Sequence, residues 1–406
     1  MRVLMINYEF PPLGGGGGVA SYEIAKALSA RDHEVDVLTT KYRGLPSEEE
    51  VDGLTVYRAP VMGRAELATA SLPSMLSFLP MGIARGRKVL AAHSYDILNT
   101  HFAIPSGPTG VALSRLSKTP HVLTIIGGDI YDPSKRLSPG RNPLVRAAVR
   151  YVINSTDQVI AISEDIKRRA REDLGCQTPI EVVHYGLTPP SFERKSREEL
   201  GVPENAVVLI SIGRLIKRKA IDDLLQALAR IGQPDVKLLI IGEGPERVNL
   251  EEMSRSLGVS EQLSFLGAIW GERKFQYLAA ADMFVLPSLH EGFGLVFLEA
   301  MYCGLPVVAS DTGGQTDFLR DGETGFLTPV GDPEALAEGI ARLTGDEALR
   351  RRMGEFNREY VRRFHISGVA ERYEAIFSGV IGRARRSAGS REANSVNPSG
   401  DGGLAS

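Results

Sequence analysis

The sequence predicts an α/β protein of two doubly wound domains that face a central cleft. Three observations predict it. The chain of 406 residues is longer than one domain ordinarily runs. Short continuous apolar runs alternate with stretches of helical spacing, the pattern of parallel strands covered on both faces. The alternation is interrupted at 187–205, where Pro189, Pro190, Pro203 and a set of charges separate two such series.

The elements follow in order. Val3–Ile6 reads as a buried strand, Gly14 to Gly18 as a loop, and Val19, Ile24, Ala27 and Leu28 as one face of a helix. Val35–Leu38 is the next strand, which makes a βαβ start and implies a parallel sheet. Strands are expected at Thr55–Tyr57, Ile97–Leu98, Val122–Ile126, Val159–Ile162 and Val182–His184. Ser163 suits an N-cap, with Glu164 and Asp165 at the positive end of the helix it opens. The second series places strands at 207–212, 236–241, 263–266, 283–286 and 306–309. Helices are expected at 220–231, 245–257, 272–280, 295–303 and near 315–320, and again from 354 to 381. Residues 1–190 are therefore expected to form one domain and 191–360 the other, followed by a helix at 361–384. From Arg385 the chain is rich in Ser, Gly, Asn and Arg without periodicity, so 385–406 is expected to be a disordered tail.

Composition excludes several function classes. Forty-seven Lys and Arg against fifty Asp and Glu give a net charge of −3, which argues against a basic nucleic-acid binder. Cys176 and Cys303 are the two cysteines and offer neither a disulfide framework nor a metal-ligand set, so a reducing compartment is expected. No run of eighteen apolar residues is present, and the run at 3–6 is too short for a signal peptide. The expectation is a cytoplasmic protein.

Four motifs carry chemistry. Glycines 14–18 sit between strand and helix, where backbone N–H groups can approach an anion. A dinucleotide site would want an acid at the end of the second strand, and Thr39-Thr40-Lys41 stands there. No Gly-Lys-Ser/Thr follows either, and a plain flexible turn is the alternative. Gly213-Arg214-Leu215-Ile216-Lys217-Arg218-Lys219 follows a strand and opens a helix, so Arg214 and Lys219 can face a diphosphate; a solvated basic turn is the alternative. In His290-Glu291-Gly292-Phe293-Gly294-Leu295-Val296, the glycines free N–H groups for phosphate. Glu291 is at the loop mouth and Glu299 lies about a turn inside the next helix among apolar neighbours. A buried, unpaired carboxylate is costly, which favours a ligand-facing Glu299 over an ordinary helix-face residue. Asp311-Thr312-Gly313-Gly314 is a further glycine turn at a strand end.

Taken in order, these pieces resemble the retaining glycosyltransferases of family 4, which have the GT-B fold of two Rossmann-like domains. The matching pieces are the glycine loop, Gly213-Arg214 with Lys219, Gly242-Glu243-Gly244-Pro245, the pair Glu291 and Glu299, and Gly313-Gly314. They span residues 1 to about 380. The resemblance implies that Arg214 and Lys219 bind the donor diphosphate, Glu291 contacts hydroxyls of the transferred sugar, and Glu299 holds the ribose. It implies donor contacts at Gly213, Gly267, Gly292, Phe293, Gly294, Leu295 and Val296, with Gly16, Gly17 and Gly18 lining the cleft from the first domain. It also implies that the C-terminal helix crosses back to the first domain.

The implied reaction moves a hexose from a UDP- or GDP-linked donor to a hydroxyl of a glycan, lipid-linked or small-molecule acceptor, with retention. Fixed cations and helix starts are what a departing diphosphate needs. No Asp-x-Asp occurs in the chain, so no obligatory metal and no cofactor are expected. The sequence departs from the family at Ile126, which stands where His often precedes Gly-x-Asp. Asp129 remains, and His101 at another strand end is a further catalytic candidate, the alternative being a structural histidine. Lys219-Ala220, Tyr185-Gly186-Leu187-Thr188 and Asp317 are milder departures.

Residues 67–90 mix Leu67, Leu72, Met75, Leu76, Phe78, Leu79, Met81 and Ile83 with Arg85, Arg87 and Lys88. They read as a packed helical pair, with Pro73 and Pro80 breaking any long helix, and peripheral membrane contact as the alternative. The rival functions are a nucleotide-sugar epimerase or sugar phosphorylase on the same scaffold, and a non-catalytic sugar-binding protein.

Overall fold

The computed structural model describes residues 1–64, 67 and 70–395, the side chains of 388–395 excepted. Eight strands form the first sheet: β1 (Arg2–Asn7), β2 (Glu34–Thr40), β3 (Glu48–Val51), β4 (Leu54–Ala59), β5 (Ile97–His101), β6 (His121–Ile125), β7 (Gln158–Ala161) and β8 (Ile180–Val182). Their order is β3-β4-β2-β1-β5-β6-β7-β8, parallel except where the edge strand β3 runs antiparallel to β4. Six strands form the second: β9 (Val207–Ile212), β10 (Val236–Ile241), β11 (Leu263–Gly267), β12 (Met283–Leu286), β13 (Val307–Ser310) and β14 (Gly325–Thr328), in the order β11-β10-β9-β12-β13-β14. This is GT-B architecture. The central strands are apolar and buried along nearly their whole length, as strands sandwiched between helices must be.

Strand order places the motifs. β1 pairs with β2 on one side and β5 on the other, so the order reverses there. β9 likewise lies between β10 and β12. A crevice opens beyond the carboxyl end of a strand at such a reversal. The glycine loop follows β1 and the basic turn follows β9, so each occupies the crevice of its own sheet.

The chain passes between the domains twice, side by side. Leu187 N–H donates to Phe364 O at 2.7 Å, and Ile366 N–H donates to Leu187 O at 3.2 Å. Beyond that point the helix Ile366–Ser395 packs on the first domain. Tyr373 stacks on His101 and its hydroxyl lies 3.2 Å from that of Thr124, while Arg31 holds Glu371 and Glu374.

Several expectations are corrected. Leu72–Ala92 is a single helix, unbroken by proline. Pro73 occupies the first turn, where no N–H is needed, and Pro80 is on the exposed face, where water can reach the carbonyl it leaves unbonded. The helix expected at 354–381 is interrupted at 361–365, where the chain turns to cross between domains. The one expected near 315–320 is a short 3₁₀ turn, Gly313–Asp317. The C-terminal helix runs through 385–395, carried by Arg and Ala of good helix propensity, and 396–406 lies outside the described residues. β3 and β14 had no expected counterpart.

Candidate active site

The second-domain wall is built by two loops at the carboxyl ends of β9 and β12. Past β9 the backbone passes so close to Gly242 (φ +148°) that a Cβ there would lie 1.9 Å from Gly213 O. The turn then delivers Lys219 ahead of the helix Ile221–Ile231. Lys219 Nζ donates to Glu291 Oε1 at 2.6 Å, and both side chains are nearly buried. Burial alone would push the Glu291 carboxyl up, but the Lys219 ammonium and Arg218 guanidinium outweigh it and hold the group down at about 2. Arg218 Nη1 lies 3.8 Å from Glu291 Oε2 and donates to His290 O at 3.0 Å. Arg214 is exposed and has no ion pair among the described residues.

The loop after β12 ends at Gly294, whose φ of +92° favours glycine, and the helix Leu295–Tyr302 starts there. No side chain caps that start, so its first N–H groups are open to an anion. Glu299, one turn in, is not unpaired as expected: Lys274 Nζ donates to its Oε1 at 2.6 Å. Its Oε2 is buried and has no hydrogen-bond partner among the described residues, so one oxygen remains to accept from a ligand. Phe293 is 1% exposed and packs on His184, Phe318 and Phe364. Its ring anchors the loop, and only its backbone remains for a ligand. Gly267 ends β11, and its carbonyl accepts from Gly242 N–H at 2.8 Å.

The first-domain wall is the start of the helix Gly16–Ser29, which also lacks a side-chain cap. A Cβ on Gly15 or Gly16 would meet nothing, whereas one on Gly17 would strike the Phe102 ring at 2.7 Å and one on Gly18 would press on Leu13 O at 3.1 Å. Gly16 faces open space, while Gly17 and Gly18 let the helix sit close to its neighbours. Ile126 is 9% exposed, and its side chain would lie 3.4 Å from a Cβ on Gly17.

The two walls touch. A Cβ on Gly292 would lie 2.2 Å from Ile126 O, and one on Gly127 would lie 2.8 Å from Gly292 Cα. Charged groups bridge the same line. His290 Nε2 lies 2.9 Å from Asp165 Oδ2, Arg218 Nε lies 3.6 Å from Asp132 Oδ2, and His184 Nε2 lies 2.8 Å from Asp317 Oδ2.

Two catalytic candidates take other roles. Asp129 accepts from Ala103 N–H at 2.6 Å through one oxygen, and from Gly127 N–H at 2.8 Å and Ile126 N–H at 3.1 Å through the other. It clamps the loops after β5 and β6, and burial pushes its carboxyl up. His101 is fully buried under the C-terminal helix, bonded to Asn99 Oδ1 at 2.8 Å, and burial pushes its ring down to about 3. A ring that stays neutral beneath a helix is structural. The structure instead brings in Arg218, His290, Asp132 and Lys274. Arg218 and His290 lay inside motifs already singled out, the basic run and the loop before Gly294, while Asp132 and Lys274 carried no sequence signal. Among the described residues, no group of three or more His, Cys, Asp or Glu is arranged to hold a metal ion. No helix of the described residues is long and apolar enough to cross a membrane.

Residues 192–360 match the family model described as glycosyl transferases group 1. Residues 15–186 match the glycosyl transferase 4-like domain. The chain is 30% identical to N-acetyl-alpha-D-glucosaminyl L-malate synthase of Bacillus anthracis, over 93% of this chain and 97% of that protein. It is 31% identical to a D-inositol 3-phosphate glycosyltransferase of Salinispora arenicola, over 92% and 91%. In fold it resembles sucrose-phosphate synthase from Thermosynechococcus elongatus, with a TM-score of 0.85 at 24% identity, over 94% of this chain and all of that one. It also resembles Anabaena HepE in complex with UDP and glucose, with a TM-score of 0.75 at 23% identity, over 93% and 100%.

Proposed function

This chain belongs to the glycosyl transferases of group 1, family 4, and on that footing we propose that it is a retaining hexosyltransferase acting from a nucleotide-sugar donor on an acceptor hydroxyl. One observation carries the reading. The buried Lys219–Glu291 pair, at 2.6 Å, shares the carboxyl ends of β9 and β12 with an uncapped helix start and with Arg214, which has no ion pair among the described residues. That combination suits a ligand that is anionic at one end and rich in hydroxyls at the other.

Each group then has a task. Arg214 offers a fork and Lys219 a compact charge to the diphosphate, and the N–H groups of Leu295 and Val296 add to them. The free oxygen of Glu299 accepts from the ribose diol. Glu291, kept ionised by its cations, accepts from hydroxyls of the hexose. In the transfer, the bond from the anomeric carbon to the diphosphate oxygen breaks as the bond to the acceptor oxygen forms on the same face. The acceptor proton passes to the departing oxygen. Negative charge grows where Arg214 and Lys219 stand, which is how fixed cations lower this barrier. With those cations doing the neutralising, the reaction is proposed to run without an obligatory metal.

The test is a thermal-shift screen of UDP, GDP, ADP and their sugars, followed by product analysis with a responding donor. A specific donor raises the melting temperature by mass action. The anomeric proton coupling of the product should match that of the donor. An inverted coupling would refute retention, and an altered nucleotide sugar released without acceptor would refute transfer.

A further inference from the structure

Glu299 shares its place on the second domain with one cation. Lys274 Nζ donates to Glu299 Oε1 at 2.6 Å, and the two side chains are 17% and 12% exposed. Each is the other's only ion-pair partner among the described residues. Both ends of the contact stand on rigid supports. Glu299 lies in the helix Leu295–Tyr302, whose Phe297, Leu298, Ala300 and Met301 are buried. Lys274 lies in the helix Glu272–Ala280, which buries Phe275, Tyr277 and Leu278. Phe275 stacks on Phe192 at 5.7 Å, and Glu272 Oε1 accepts from Glu193 N–H at 2.8 Å. The start of that helix is thereby fastened to the segment that leads into β9.

A purely structural ion pair would leave the carboxylate satisfied, because buried polar atoms in folded proteins are as a rule hydrogen-bonded. Here Glu299 Oε2 is buried and has no hydrogen-bond partner among the described residues. The ammonium on Oε1 does two things for that oxygen. It removes rotameric freedom from the side chain, so the direction of Oε2 is set before a ligand arrives. It also balances the negative charge, which lessens repulsion of a diphosphate at the start of the same helix.

A fixed oxygen that accepts and does not donate selects a hydroxyl. We propose that Lys274 is the positioning residue of the ribose subsite: it aims Oε2 at the ribose diol and so makes the protein select ribonucleotide over 2′-deoxyribonucleotide donors, an inference that rests on the assignment of Glu299 to the ribose. Lys274 acts through Glu299 and need not touch the donor. Discrimination follows because a donor without the hydroxyl leaves a buried acceptor unpaired. Without Lys274 the carboxylate is free to turn towards water, and that penalty disappears.

The test uses the full chain and whichever of UDP, GDP or ADP binds, together with its 2′-deoxy counterpart. Both are titrated calorimetrically into wild type, Lys274→Met, Lys274→Arg and Glu299→Ala. Wild type is expected to prefer the ribonucleotide by about tenfold or more, as one hydrogen bond to a charged group allows. Lys274→Met should lose most of that preference by weakening the ribonucleotide, with a much smaller change for the 2′-deoxy nucleotide. Lys274→Arg, which keeps a cation within reach of Oε1, should restore much of it. With the matching nucleotide sugar, Lys274→Met should raise the donor KM by about tenfold, with a much smaller effect on kcat. A preference that Glu299→Ala abolishes and Lys274→Met retains overturns the positioning role and leaves the ribose assignment standing. So does a Lys274→Met variant that weakens both nucleotides alike, the mark of lost packing. A wild type without preference, or a Glu299→Ala variant that keeps it, overturns the ribose assignment, and the role of Lys274 falls with it. Failure of all three nucleotides to bind overturns the donor reading itself.

Discussion

Replacing Lys219 by Met removes the ammonium 2.6 Å from Glu291 and keeps most of the side-chain volume. Glu291 is then left with only Arg218, at 3.8 Å, for a cation. The size of the effect follows from the carboxyl itself. Its ordinary value is 4.5, and the folded protein holds it at about 2. At about 1.36 kcal/mol per pH unit, that difference is worth about 3 kcal/mol at the carboxyl, offset in part at Lys219, whose ammonium burial pushes down more than Glu291 pushes it up. Breaking a buried pair by deleting one partner commonly costs about 3–5 kcal/mol, which bounds the expected loss from above. The sign is set by the depressed value: this stability is present above pH 4.5 and is lost as pH falls towards about 2. In Lys219→Met the pair contributes nothing at neutral pH, and the loss between pH 4.5 and 2 flattens. Urea unfolding followed by circular dichroism across that range reads both effects. Adding Glu291→Gln should restore part of the stability, because no buried carboxylate is then stranded. Turnover should fall about 10²–10³-fold in the single variant, from loss of the charge facing the departing diphosphate. Wild-type stability at pH 7 with an unchanged acid limb would refute the pairing argument, and wild-type turnover would refute the site.

Three further outcomes are expected. Gly292→Ala puts a methyl 2.2 Å from Ile126 O, so the domains should part: turnover falls and the radius of gyration from solution scattering rises, while helix content stays the same. Glu299→Ala should raise the donor KM with little change in kcat, and discrimination between UDP and its 2′-deoxy analogue should disappear if the ribose sits there. His101 and His121 are both held neutral by burial, each pushed down to about 3 from 6.5, so the unfolded chain takes up their protons first. Stability should therefore decline as pH falls below 6.5, by up to about 1.36 kcal/mol per pH unit for each ring. His101→Gln should soften that decline without moving the pH profile of kcat/KM.

The parts of the site legible in the sequence were those that a local rule governs. Strand, glycine or basic turn, then helix is a local pattern, and it located Arg214, Lys219, Gly294 and the helix start at Leu295. Pairing across the chain was not legible. Lys274 is an ordinary helix residue until β9 and β12 bring its helix beside Glu299, 25 residues on. Asp129 and His101 stand where a cleft-facing residue would be expected, at strand ends, yet backbone N–H groups claim the first and the C-terminal helix covers the second. Both outcomes depend on contacts between distant segments. Pro80 misled for a different reason: proline in a helix is costly when its freed carbonyl is buried, and here the face is wet.

The cross-cleft contacts explain why the site is divided between domains. The residues that touch the opposite domain are direct neighbours of those assigned to the donor. Arg218 precedes Lys219, and His290 precedes Glu291, which in turn precedes Gly292. Each donor-side group is thus fixed to a residue that engages Asp132, Asp165 or the carbonyl of Ile126. Separating the domains would take Arg218 from Asp132, leaving that carboxylate Lys135 at 3.4 Å and the N–H and hydroxyl of Ser134 in its own domain. It would also withdraw the Asp165 carboxylate from His290. The neighbours of Lys219 and Glu291 therefore have their cross-domain partners only while both walls are joined. A donor that bridges Lys219 and the open helix start at Gly16 would favour the same joined state, and its diphosphate would meet its cations only there.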